Sequence, residues 1–143
     1  MSSESNKALV RRFFDEVCNG RKPEVAPEIF ASEFVYHEPP SISPGGKGPA
    51  AIAQEAANYY RAMSNAQWVV HDVLAGENDT VIVRWTGQGM HDGNLAGIPP
   101  TGKQVSVEAL TLFRIDGGKI VEMWDCWDAL GLLQQVGVVP PMG

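Results

Sequence analysis

The segment Ile120-Val121-Glu122-Met123-Trp124-Asp125-Cys126-Trp127-Asp128 sets a carboxylate among large apolar side chains. It reads as a strand, and side chains on a strand alternate between two faces. The alternation groups Val121, Met123, Asp125 and Trp127 on one face, and Ile120, Glu122, Trp124 and Cys126 on the other. Apolar surroundings disfavour the charged form of a carboxyl and raise its pKa, so Asp125 is a candidate acid/base group near neutral pH. Spacing alone more readily allows an aspartate near a strand end, solvated or paired to an arginine.

Glu38 is the second carboxylate of interest and stands just before Pro39. Proton abstraction next to a carbonyl needs a carboxylate near the α-carbon and a donor near the oxygen. Glu38 and Asp125 can divide those tasks only across one cavity; otherwise Glu38 is a solvated strand-end residue. His37 neighbours Glu38, so the two should face opposite ways. His37, His71 and His91 lack metal-ligand spacing. His91 opens a loop and is expected to hydrogen-bond the backbone there. Candidate cavity walls are Trp127, Met123 and Phe113, with Phe14 and Val17 from the first helix and Tyr59 from a later one. Trp68, Trp85 and Trp124 suit either a cavity or a core. The stiff Ile98-Pro99-Pro100 segment forms a cavity lip or a packed turn.

The elements that must position these residues follow from periodicity. Leu9, Val10, Phe13, Phe14, Val17 and Cys18 recur at helical spacing over about 5–19, with Ser5 as cap and Gly20 just past the end. Pro23 opens a short second helix through about Phe30, and residues 34–38 form a strand stopped by Pro39-Pro40. Residues 41–48 are a loop, and a helix from Pro49 to about Met63 carries Ile52, Ala56, Tyr59, Tyr60 and Met63 on its apolar side. Four strands follow: 67–75, 80–91, 103–115 and the one bearing Asp125, turned by Gly76-Glu77-Asn78-Asp79 and Asp116-Gly117-Gly118. A short helix over 129–136 ends the chain. Helices grouped before an antiparallel meander predict an α+β fold, with helices packed on one face of a curved sheet.

A chain of 143 residues fits one domain spanning 1–143, with 1–5 and 138–143 as flexible tails. The net charge of −6 and pI near 4.9 disfavour nucleic acid or an anionic membrane as partner. Cys18 and Cys126 form no disulfide or zinc pattern, and the polar N-terminus resembles no signal peptide, so a cytoplasmic location is expected.

Read in order, several segments resemble the SnoaL-like polyketide cyclase family, which shares the nuclear-transport-factor-2 cone fold. They are Leu9-Val10-Arg11-Arg12-Phe13-Phe14, Tyr36-His37-Glu38-Pro39-Pro40, Gly97-Ile98-Pro99-Pro100-Thr101-Gly102-Lys103, 113–122, and 127–137. The resemblance implies a cone-shaped α+β barrel of curved antiparallel and mixed strands, with an apolar cavity for a small hydrophobic substrate or ligand, and a homodimer. It also implies intramolecular aldol chemistry without metal or cofactor, with Asp125 as the acid/base group. The family's cyclases carry a histidine at about the position of Thr111. Thr111 can hydrogen-bond an oxygen but cannot exchange a proton near pH 7. The expected function is acid/base chemistry on an apolar carbonyl compound, with Thr111 and His37 or His91 polarising an oxygen. The alternative is a non-catalytic protein that binds a small hydrophobic ligand.

Overall fold

The computed structural model describes residues 2–142; the expected tail residues Met1 and Gly143 lie outside them. Helix α1 spans Ser3–Arg12. The Ser2 hydroxyl accepts from the Ser5 N–H at 3.0 Å, and the Ser5 hydroxyl oxygen accepts from the Ser2 N–H at 3.2 Å. This reciprocal pair satisfies two donors that a helix start leaves open. Ser2 is therefore the cap, and Ser5 lies inside the helix. The chain continues directly into a π-helical turn, Phe13–Asn19, whose Phe13, Phe14, Val17 and Cys18 are all buried. Gly20 caps the turn, where any Cβ would meet the Glu16 carbonyl oxygen at 2.6 Å.

A 3₁₀ turn, Pro23–Val25, and helix α2, Ala26–Ile29, lead into strand β1, Phe30–His37. The strand begins four residues before the expected start, because Phe30 pairs with Ile120 and both are buried. The expected loop over 41–48 contains a two-residue strand β2, Gly46–Lys47. Helix α3 is Pro49–Ala62. The meander is β3, Gln67–Gly76; β4, Thr80–Met90; β5, Gln104–Asp116; and β6, Lys119–Trp127. Helix α4, Ala129–Gln135, closes the order. Gly117 and Gly118 take φ of 59° and 77°, the left-handed conformation that a tight hairpin between β5 and β6 requires.

One α+β sheet results, in the order β2-β1-β6-β5-β4-β3. The β1–β6 pair is parallel, and every other pair is antiparallel. The sheet curves around the helices as an open cone: β2 and β3 remain edges, so the barrel is not closed. Phe14, Phe30, Phe34, Phe113 and Ile120 form the fully buried centre between helices and sheet. Among the described residues no helix is long and apolar enough to cross a membrane.

The facing of β6 departs from simple alternation in one place. Arg114 pairs with Glu122 but Ile115 pairs with Ile120, so Val121 is an extra residue in a bulge. The bulge resets the phase. Ile120, fully buried, takes the inner side before it, and Met123, Asp125 and Trp127 take that side after it. Val121 therefore leaves the face that alternation assigned to it, and Ile120 replaces it.

Candidate active site

β5 and β6 set Thr111 directly opposite Asp125, and β4 brings Trp85 beside them. The Trp85 indole N–H donates to Thr111 Oγ1 at 2.9 Å, and the Thr111 hydroxyl donates to Asp125 Oδ1 at 2.6 Å. An indole nitrogen only donates, so Thr111 must accept from Trp85, and its own proton turns toward Asp125. The chain of bonds therefore orients the carboxyl group and leaves Oδ2 without a partner among the described residues. Burial pushes the Asp125 pKa up to about 6; the Thr111 hydrogen bond works against the rise, and the charge of Glu55 adds to it.

Glu38 follows the last residue of β1 and turns inward, where its Oε2 accepts from the Trp127 indole N–H at 3.0 Å. Burial pushes its pKa up to about 7, helped by the charge of Asp125 and opposed by the Trp127 bond. It is a half-buried cavity residue, not a solvated strand end. His37, one residue earlier, faces outward. Its Nε2 lies 2.7 Å from Glu122 Oε2, and its ring stacks on Trp124 with centroids 5.2 Å apart. His37 is thus removed from the candidate site by the strand's own alternation, as is Trp124.

Asp125 stands where two small cavities adjoin. One, of about 60 Å³, is walled by Trp127, Val105, Val107 and Leu132 among others. The second, of about 40 Å³, adds Glu38, Glu55, Thr111, Met123 and Phe14. Tyr59, Trp68, Trp85 and Asp125 line both. The Tyr59 ring meets Trp68 and Trp127 edge-on, with centroids 6.4 and 6.3 Å away. Burial, with the nearby carboxylates, pushes the Tyr59 hydroxyl pKa up, so this phenol keeps its proton. The walls are thus apolar and aromatic, with a few convergent polar groups, which is the composition of a small-molecule site.

Other expected wall residues lie elsewhere. Phe113 and Val17 are buried in the core and line neither cavity; the Phe113 ring packs edge-on against Phe13 and Phe14. His91 is fully buried, and its Nδ1 pairs with Thr101 Oγ1 at 2.9 Å. Its partner is a side chain rather than the loop backbone, and it too stays outside both cavities. Ile98 pairs with Leu95 in a packed turn and lines neither cavity. Glu55 is a cavity residue that periodicity passed over. It lies three residues after Ile52 and four before Tyr59, so it shares the inward stripe of α3. An acidic residue on an apolar stripe was the available signal.

The family model for SnoaL-like polyketide cyclase matches residues 8–136. The aklanonic acid methyl ester cyclase DauD of Streptomyces sp. (strain C5) is 32% identical over 137 residues, covering 90% of this chain and 80% of that protein. The aklanonic acid methyl ester cyclase DnrD of Streptomyces peucetius is 32% identical over 130 residues, covering 90% and 88%. Among solved structures, a putative SnoaL-like polyketide cyclase from Jannaschia sp. CCS1 superposes with a TM-score of 0.83 at 27% identity, covering 96% and 94%.

Proposed function

The chain belongs to the SnoaL-like polyketide cyclase family, and from that premise we propose a cyclase-like enzyme that uses Asp125 as base and Glu38 as acid on a carbonyl compound. The ionised Asp125 removes a proton from a carbon flanked by two carbonyls, and the released electron pair forms an enolate. The enolate carbon attacks a second carbonyl of the same molecule, making a carbon–carbon bond and an alkoxide. Glu38, which holds its proton up to about pH 7, gives that proton to the alkoxide. Isomerisation uses the same first step, with the proton returned to a different carbon.

The observation that carries this reading is the Trp85–Thr111–Asp125 chain, which leaves one carboxylate oxygen facing a cavity that Glu38 also lines. The low-dielectric walls strengthen each charge interaction there. Both cavities fall below the several hundred Å³ usual for a drug-sized ligand, so in this reading a multi-ring substrate enters by displacing wall side chains such as Tyr59 or Trp127.

The test is turnover of a 1,3-dicarbonyl substrate, starting with aklanonic acid methyl ester because two relatives are named for it. Wild type should form the cyclised product, and Asp125→Asn should bind the substrate without converting it. Equal turnover by both would remove Asp125 from the chemistry. Binding by wild type with no conversion of any such compound would favour the ligand-binding alternative.

The homodimer belongs to the same proposal. Leu74, Ile82, Leu112 and Trp124 are lateral neighbours on the outer sheet face, with Leu74 60% and Ile82 41% exposed. This apolar row is the surface a second copy would cover. Sedimentation of wild type and Ile82→Glu tests it: a dimer that dissociates in the variant supports the seat, and a monomeric wild type rejects it.

A further inference from the structure

We infer that Glu55 is a substrate-facing carboxylate of this site, and that the ligand presents a hydroxyl or N–H donor to it. The inference deepens the proposed function and rests on its cavity. Three carboxyl groups reach the 40 Å³ cavity from three elements: Glu38 from the end of β1, Glu55 from α3 and Asp125 from β6. Two of them already accept from an indole or hydroxyl, namely Glu38 from Trp127 and Asp125 from Thr111. Glu55 accepts from no side chain among the described residues, and burial raises its pKa. Among the described residues, no lysine, arginine or histidine lines either cavity. Nor do the carboxyls converge as a metal-holding set, since among the described residues no group of three His, Cys, Asp or Glu side chains does so.

Glu55 is half-buried at the cavity wall, so a ligand that displaces water from its carboxylate must supply a donor in its place. The neighbouring walls make a neutral, ring-bearing ligand with a hydroxyl or amide N–H suitable, because Trp85, Trp68, Phe14 and Tyr59 offer aromatic surface on the other sides. The titratable groups facing Glu55 are Glu38 and Tyr36 from β1, Tyr59 from its own helix, Asp125 from β6 and Cys18 from the π-helical turn. All of these are acids, so the charge of Glu55 opposes ionisation of its neighbours and holds Asp125 closer to neutrality.

Two measurements test the inference without the natural substrate. The first is tryptophan-fluorescence titration with 2-naphthol and 2-methoxynaphthalene, which share a ring system and differ in the donor. Wild type should prefer the naphthol by about tenfold or more, as expected for a hydrogen bond to a charged acceptor. Glu55→Met should lose that preference while still binding the ether. Absence of the preference in wild type, or its survival in Glu55→Met, overturns the inference. The second is the titration midpoint of Asp125 by carboxyl-carbon NMR in wild type, Glu55→Gln and Glu55→Asp. The midpoint should fall in Glu55→Gln and return in Glu55→Asp; an unmoved midpoint places Glu55 away from the reacting carboxyl. Asp125→Asn separates this from the parent proposal. Failure of Asp125 as the base shows in the turnover of that variant, whereas the naphthol preference is read in wild type and Glu55→Met without turnover.

Discussion

Glu122 and Asp125 lie three residues apart on one strand, and their surroundings push them in opposite directions. Glu122 faces outward, where His37 Nε2 at 2.7 Å and Arg114 Nη2 at 3.0 Å stabilise its charge and lower its pKa. Asp125 faces inward, where burial among Trp85, Trp127 and Tyr59 destabilises its charge and lifts its pKa to about 6. The same chemical group is thus a fixed anion on one face and a proton carrier on the other. The difference is one of partners and solvent, which the pleat assigns.

The largest expected break in this contrast is catalytic. Asp125→Asn should lower kcat by about 10³-fold while leaving far-ultraviolet circular dichroism unchanged, as expected when a positioned general base is removed. The matched outer substitution, Glu122→Gln, should leave kcat within about twofold; a comparable loss there would show that facing does not decide function.

Next in size is the pH dependence of stability. Asp125 rises from 3.8 to about 6 on folding, and Glu38 from 4.5 to about 7. A raised carboxyl pKa means that the folded state holds the proton more tightly. Its stabilisation is full below the unfolded value and is lost as pH rises through the folded value. Asp125→Asn should therefore gain stability relative to wild type between pH 4 and 7, by on the order of 2 kcal/mol in urea unfolding. Glu122 carries the opposite sign: its stabilisation is present above 4.5 and lost as pH falls, so Glu122→Gln should lose its small deficit in acid.

Thr111→Val sharpens the comparison from the inner side. It removes the donor that lowers the Asp125 pKa and leaves the Trp85 indole N–H unpaired. The cost should be about 1–2 kcal/mol, and the acid limb of the kcat/KM profile should move to higher pH. An unmoved limb would mean that the Thr111 bond does not set the Asp125 titration. The smallest effect belongs to the outer network. Arg114→Met should change stability by less than about 1 kcal/mol, because its bond to Glu122 is largely solvent-exposed.

Much of the fold was legible because its signals are local. The four-strand meander, the Gly117-Gly118 hairpin and the apolar stripes of α1 and α3 follow from period and turn chemistry. The shared face of Met123, Asp125 and Trp127 was legible too, since it needs only alternation; that this face turns inward was not. The bulge at Val121 was not, because the extra residue exists only against β5. Phe113 and Val17 share the composition of cavity walls, and only packing consigned them to the solid core. His37 and Glu38 could be separated onto opposite faces by alternation, but not assigned to inside or outside.

By itself the sequence determined the family, the α+β order and the aspartate worth testing, because motifs, periodicity and residue type reside in the chain. The tertiary structure alone decided that Glu38 turns inward to the Trp127 indole, that Thr111 directs its proton to Asp125, and that Glu55 joins them from a helix some seventy residues from Asp125. Those relations depend on which distant segments exclude water from the same small cavity, and no local pattern encodes that.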